Sequence, residues 1–306
     1  MKTILITGIN GQLGYDIYRK LDLENKINRL YYNQNKYLIY APSRDELDIT
    51  NRKNVIIYIS KIQPDYIIHC AAYTQVDKAE IEQDNAYLVN FEGTKNLCDI
   101  ASYYNSTLIF TSTDYVFDGL KKGKYTEFDN PNPQNVYGMT KFLAEQQVQK
   151  LDKHIIARVS WLYGINGNNF VKTMLSLSNK GVNDLNIVDD QIGSPTYTKD
   201  AANAIVQLMN SCYHTKNYGI YHITNEGEVS WADFAKEIFT INNKNVNVNK
   251  ITTQEYINAQ NKVVAVRPLN SCLSKNKINE IGINMPKWDN ALYRYSNEIS
   301  KTLKRK

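Results

Sequence analysis

Short apolar runs alternate with longer amphipathic stretches through the first half of the chain. The runs fall at 3–7, 37–40, 66–70, 107–111 and 154–159. They are apolar without strict alternation, as expected of strands covered on both faces of a parallel sheet. The stretches between them have helical character. One begins near Gln12, and a second covers 51–62, with Thr50 as its cap and Pro64 beyond its end. A third covers 85–104, and a fourth runs from Val136 to about Leu151. Parallel strands need crossovers of this length, and right-handed crossovers gather the strand ends on one edge. That edge is where such sheets bind ligands.

Past residue 160 the alternation weakens. Helical segments are expected at 170–178, 199–209, 231–239 and 290–303, a strand at 220–223, and polar, Asn-rich loops between them. The fold class is therefore α/β: a Rossmann-type doubly wound parallel sheet with a smaller C-terminal substrate-binding region. Residues 1–160 form the dinucleotide-binding domain, completed by segments near 195–225. The substrate-binding region takes 161–194 and 226–306.

Composition narrows the picture by exclusion. The 306 residues are 42% hydrophobic and 22% charged, the balance of a chain that buries a core. Lysine and arginine number 36 against 31 acidic residues, too mild an excess to indicate nucleic acid. Lys301, Lys304, Arg305 and Lys306 read as a frayed, solvated terminus. The four cysteines, Cys70, Cys98, Cys212 and Cys272, show no metal or redox spacing and are expected as reduced thiols in a cytoplasmic protein. No apolar run is long enough to cross a membrane.

Candidate chemistry begins with Gly8-Ile9-Asn10-Gly11-Gln12-Leu13-Gly14, directly after the first strand. A dinucleotide pyrophosphate needs bare backbone amides at a helix start. Gly8 permits the tight turn, Gly11 lets phosphate approach, and Gly14 lets helix and strand pack closely. Three spaced glycines alone also suit any sharp strand–helix turn; the flanking strand and helix favour the cofactor. At the end of the second strand Ser43 and Arg44 favour the 2′-phosphate of NADP, although Asp45 follows at once. The expected cofactor is NADPH, with NADH as a second option. Asp48 and Ile49 either flank the adenine or simply turn the chain into the next helix.

A tyrosine four residues before a lysine shares its helix face. The ammonium should then lower the phenol from about 10 towards neutrality and make it a proton donor to a carbonyl. The spacing proves nothing by itself. With 23 tyrosines about two such matches are expected by chance, and two occur, Tyr32–Lys36 and Tyr137–Lys141. Context separates them, because Tyr137 opens a helix behind a breaker-rich entry, whereas Tyr32–Lys36 falls in an Asn-rich loop with no helix to align the pair. Upstream, Thr111-Ser112-Thr113-Asp114 ends the fourth strand, where a carbonyl oxygen would find a second hydroxyl. Thr113 is the candidate and Ser112 its rival.

Taken together these segments resemble the extended short-chain dehydrogenase/reductase family. The evidence is Gly8–Gly14, Ala71-Ala72, Ser112–Phe117 and Tyr137-Gly138-Met139-Thr140-Lys141. Ser160–Gly164, Gly167–Phe170, Asp190–Thr196 and Arg267-Pro268 narrow the resemblance to its dTDP-4-dehydrorhamnose reductase branch, over almost the whole chain. The resemblance implies that Tyr137 donates the proton while Lys141 holds the nicotinamide ribose. It implies that Gly11, Gln12 and Leu13 bind pyrophosphate, and that Ala71, Ala72, Tyr73 and Thr111 line the cofactor. Thr113, Asp114 and Trp161 would contact the sugar, and Arg267 the substrate's diphosphate or merely a surface ion pair. Some members bind magnesium through glutamates. Here those places read Asp16 and Thr198-Lys199-Asp200, so no metal is expected.

The expected function is reduction of the C4 keto group of dTDP-4-dehydro-L-rhamnose to dTDP-L-rhamnose, the partner being this nucleotide-linked deoxysugar. Neither nucleic acid nor membrane is a partner, and a homodimer is one option for the assembly. Two other readings stand beside it. One is a nucleotide-sugar epimerase or dehydratase of the same superfamily; the other is a non-catalytic, NADP-binding regulatory subunit.

Overall fold

Six of the strands form one parallel sheet in the computed structural model, which describes residues 1–303. They are β1 (Lys2–Thr7), β2 (Tyr37–Tyr40), β3 (Tyr66–His69), β4 (Thr107–Thr113), β5 (His154–Val159) and β6 (Gly219–His222). Their order is β6-β5-β4-β3-β1-β2. The chain thus leaves β1 to one side for β2 and returns to the other for β3, which makes a ligand crevice above the β1–β3 boundary. The expected α/β architecture is the observed one. Lys304, Arg305 and Lys306 of the basic tail lie outside the described residues.

Around the sheet run α1 (Gln12–Tyr32), α2 (Arg52–Ile62), α3 (Gly93–Tyr104) and α4 (Val136–Val148). The second half adds α5 (Phe170–Asn179), α6 (Thr198–Thr215), α7 (Trp231–Ile241) and α8 (Trp288–Leu303). Side chains alternate across β1, so Ile4 and Ile6 face one layer and Leu5 the other. On the first side Ile68, Ile109 and Ile155 join them under Leu13, Ile17 and Leu21 of α1 and Ala201, Ile205 and Leu208 of α6. On the second, Ile67, Leu108, Phe110 and Ile156 meet Val55, Ile59, Leu97 and Val148 of α2, α3 and α4. Both faces are dry, which is why the strands read as apolar runs.

Two local details depart from the sequence reading. Asn51, not Thr50, caps α2, its side chain accepting from the Asn54 amide. The helix expected over 85–104 is broken into Gln83–Tyr87, a π turn at Leu88–Glu92, and α3. The wider turn aims Asn90 inward, where its Nδ2 donates to Tyr73 O at 3.2 Å and Thr140 Oγ1 at 3.0 Å. That contact ties the turn to the residue before Lys141.

The second half has its own core, built by Tyr163, Val171, Met174, Phe234, Ile238, Leu292 and Tyr295. It also holds short strands where the sequence reads as loop. Asp184–Val188 pairs in parallel with Asn247–Ile251, and Ile192–Gly193 lies between Val229–Ser230 and Asn270–Ser271. Among the described residues no helix is long and apolar enough to cross a membrane.

Candidate active site

The carboxyl ends of β1, β3, β4 and β5 border a cavity of about 1010 Å³. Gly8 to Gly14 form one end of it. Gly8 has φ +76°, and a Cβ there would lie 2.6 Å from the Ala71 nitrogen, so both conformation and space require glycine. A Cβ on Gly14 would lie 2.3 Å from the Gly8 carbonyl oxygen. The Gly11 amide donates to that same oxygen at 3.0 Å. Gly11 starts α1 without a side-chain cap, and the first turn carries no acidic residue. Its uncapped amides and the positive helix end suit an anion in the cavity that Gln12 and Leu13 line.

Ser43, Arg44, Asp48 and Ile49 line the cavity beyond β2. The turn that presents Arg44 is closed by Glu46, whose Oε2 accepts from the Ser43 amide at 2.7 Å. Ala71, Ala72 and Thr111 line the middle. Beneath the glycine turn, His69 joins Thr7 Oγ1 at 2.7 Å and Thr94 Oγ1 at 3.0 Å. Burial pulls its pKa down to about 3, so it is a neutral structural link.

Tyr137 and Lys141 share one face of α4 and both line the cavity. Asn135 caps this helix by accepting from the Gly138 amide at 2.7 Å. Gly138 lets the first turn press on the chain after β4, since a Cβ would lie 2.2 Å from the Tyr115 carbonyl oxygen. The Tyr115 ring meets Tyr137 edge-on, with centroids 5.7 Å apart. Thr113 Oγ1 donates to Asp114 Oδ1 at 3.0 Å and accepts from the Tyr115 amide at 3.2 Å.

The electrostatics differ from the simple tyrosine–lysine picture. Burial pushes the Tyr137 phenol well up, against a smaller pull from the Thr113 hydroxyl. Lys141 does not lower it, because burial penalises the ammonium too and brings Lys141 down to about 7. Its Nζ lies 3.9 Å over the Phe110 ring. Tyr137 is therefore a neutral phenol at physiological pH, the form that donates a proton. Burial raises Asp114 to about 6, opposed by the hydroxyls of Ser271 and Thr113.

Trp161 and Trp231 form the far wall, their indoles stacked 3.6 Å apart at 12°. A strap over 164–169 reaches back to the glycine turn. Asn166 Nδ2 donates to Asn10 O at 2.8 Å, and Asn169 Nδ2 to Gln12 Oε1 at 3.0 Å. Gly167, Asn168 and Asn169 line the cavity beside it.

Two expected residues are not brought to the cavity. Tyr73 turns away, its hydroxyl donating to Glu82 Oε2 at 2.9 Å. Arg267 is held by Asp77 at 2.7 Å, the ion-pair alternative rather than an open anion site. Asp16 accepts from Thr198 Oγ1 at 2.5 Å and pairs with Arg19 at 3.1 Å. Among the described residues no group of three or more His, Cys, Asp and Glu side chains is placed to hold a metal ion.

Val76, Val89, Tyr115, Asn168 and Trp231 line the cavity without having been singled out. Tyr115 and Asn168 fall inside the segments that carry the family resemblance, and closer reading of those segments would have found them. Trp231 had no such signal, since a lone tryptophan ordinarily reads as core.

Comparison with known proteins agrees over the full length. The RmlD substrate binding domain family matches residues 1–301. The chain is 43% identical over 303 residues to a dTDP-4-dehydrorhamnose reductase of Aggregatibacter actinomycetemcomitans, covering 95% of this chain and 97% of that protein. It is 36% identical to the spore coat polysaccharide biosynthesis protein SpsK of Bacillus subtilis, covering 98% and 99%. Among solved structures, the dTDP-4-dehydrorhamnose reductase of Bacillus anthracis in complex with NADP superimposes with a TM-score of 0.86 at 41% identity. That alignment covers 97% of this chain and 99% of the other.

Proposed function

Because the chain belongs to the RmlD substrate binding domain family, we infer that it is an NADPH-dependent dTDP-4-dehydrorhamnose reductase. It reduces the C4 keto group of dTDP-4-dehydro-L-rhamnose and forms dTDP-L-rhamnose. The observation that carries this reading is one cavity with an uncapped glycine turn at one end and Thr113, Tyr137 and Lys141 on its wall. The cofactor, when bound, supplies hydride to the carbonyl carbon.

The chain's own residues then divide the work. Gly11, Gln12 and Leu13 hold the pyrophosphate at the positive end of α1, and Ser43 and Arg44 receive the 2′-phosphate. Tyr137 gives its phenolic proton to the carbonyl oxygen as the alcohol forms. Lys141, one turn along the same face, balances the phenolate left behind. Thr113 has a single hydroxyl proton, which an ionised Asp114 accepts. When Asp114 is neutral, that proton is free for the substrate oxygen. Trp161 and Asp114 bound the sugar.

The division of the chain into a cofactor part, 1–160 with 195–225, and a sugar part, 161–194 with 226–306, belongs to the same proposal. What supports it is that the cavity runs from the glycine turn to Trp231. A cytoplasmic setting is in keeping with four free cysteines, three of them buried.

The test is NADPH oxidation against a panel of nucleotide-linked 4-keto sugars, with Tyr137→Phe as control. Stoichiometric oxidation with dTDP-4-dehydro-L-rhamnose, falling by about 10²–10⁴-fold in Tyr137→Phe, is expected for loss of a positioned acid. Turnover without net oxidation would identify an epimerase or dehydratase instead.

A further inference from the structure

Trp161 adopts φ +48°, a left-handed conformation that is strained for a bulky residue and persists only where the surroundings enforce it. Two neighbours enforce it. The Trp231 indole stacks on it, and Gly193 supplies bare backbone: a Cβ there would lie 2.6 Å from Trp161 Cε2 and 2.8 Å from Cζ2. Trp231 is itself fixed. It is the first residue of α7, whose cap Ser230 accepts from the Asp233 amide and donates to Asp189 Oδ1 at 2.6 Å. Phe170 packs beside it, with ring centroids 4.5 Å apart. Both indoles nevertheless line the cavity.

We propose that Trp231, working with Gly193, is a positioning residue that holds Trp161 as a rigid aromatic platform for the hexose of the nucleotide sugar. The proposal rests on the function inferred above and adds what orients the sugar within it. A 6-deoxyhexose ends in a methyl group and offers no hydroxyl at C6 to anchor. That end of the ring is placed by shape and by its C–H faces, which an immobile indole complements. A lone Trp161 could relax out of its strained backbone state; the stack on Trp231 and the contact with Gly193 prevent that.

The experiment combines spectroscopy, binding and kinetics on the full chain. Stacked indoles should give an exciton couplet in the intense far-ultraviolet indole band of the circular dichroism spectrum, and Trp231→Leu should abolish it. Titration with dTDP-L-rhamnose and with dTDP alone isolates the contribution of the sugar. Trp231→Leu and Gly193→Ala are each expected to lose about three- to tenfold of that contribution, the scale of one aromatic contact. KM for the sugar nucleotide should rise with it, while the Kd for NADPH and the affinity for dTDP stay as in the wild type. Trp231→Phe should restore part of the loss. The proposal is overturned if Trp231→Leu loses the couplet but keeps the full sugar contribution, or if NADPH affinity falls in step, as general unfolding would produce. Failure of the wild-type protein to reduce any 4-keto sugar would instead refute the assigned reaction.

Discussion

Arg158 donates through Nε and Nη2 to the two carboxylate oxygens of Glu145, at 2.9 and 2.6 Å, and both side chains are shut away from solvent. Glu145 lies one turn past Lys141 on the face that also carries Tyr137. The pair thus fixes the rotation of α4 against β5, and with it the aim of Tyr137. Removing one partner strands the other charge. Glu145→Ala should cost about 3–5 kcal/mol in stability, measured by denaturant unfolding. An apolar double replacement, Glu145→Leu with Arg158→Met, should recover most of that stability.

Asp114 makes stability depend on pH in a direction opposite to most carboxylates. Its native pKa of about 6 lies above the ordinary value of 3.8. Between those values the folded state binds more protons than the unfolded one. Its contribution is therefore full below about pH 4 and is lost as pH rises through 6. Asp114→Asn has no such charge to bury. Its melting temperature relative to wild type should climb between pH 4 and pH 7, by the equivalent of up to ~3 kcal/mol. A difference that stays flat with pH would contradict the assignment.

Arg44 is an exposed side chain at the rim of the cavity, free of any packing duty that its loss would disturb. If it receives the 2′-phosphate, Arg44→Ala should weaken NADPH by about 1.5–3 kcal/mol, the scale of a charged hydrogen bond. NADH should be unaffected. KM values for the two cofactors, measured side by side, check this.

The glycine turn makes a steric prediction. Gly14→Ala would force a methyl group to 2.3 Å from the Gly8 carbonyl oxygen, which backbone cannot accommodate in place. The variant should lose NADPH binding and melt earlier. Gly123→Ala, a site with open space around it but φ +89°, should cost only the conformational strain and leave cofactor affinity intact.

The sheet and the glycine turn at one end of the cavity were legible because they depend on local patterns. Apolar runs such as Tyr66–His69 are buried on both faces, and the glycines sit where backbone meets backbone. What escaped the sequence depends on pairing across distance. Arg267 meets Asp77 some 190 positions away, and no spacing rule reveals that. Asp184–Val188 and Asn247–Ile251 do alternate, with Leu185, Ile187 and Val248 turned to the core and Asp184, Asn186 and Asn247 outward, but such short runs among Asn-rich segments read as loop until their pairing is seen. Tyr73 falls outside the cavity and Trp231 on its wall for a similar reason. Which aromatic faces the cavity is decided by the partners of each, Glu82 for one and Trp161 for the other. The lowering of Tyr137 failed because burial acts on both members of the pair, which their spacing cannot convey.

The strap from 164 to 169 gives the cavity a doorway owned by both halves of the chain. Asn166 and Asn169 grip the backbone of Asn10 and the side chain of Gln12 at the start of α1. These contacts tie the glycine turn to the second half of the chain beside the cavity. Anything bound against the start of α1 is therefore enclosed by residues from both halves of the chain.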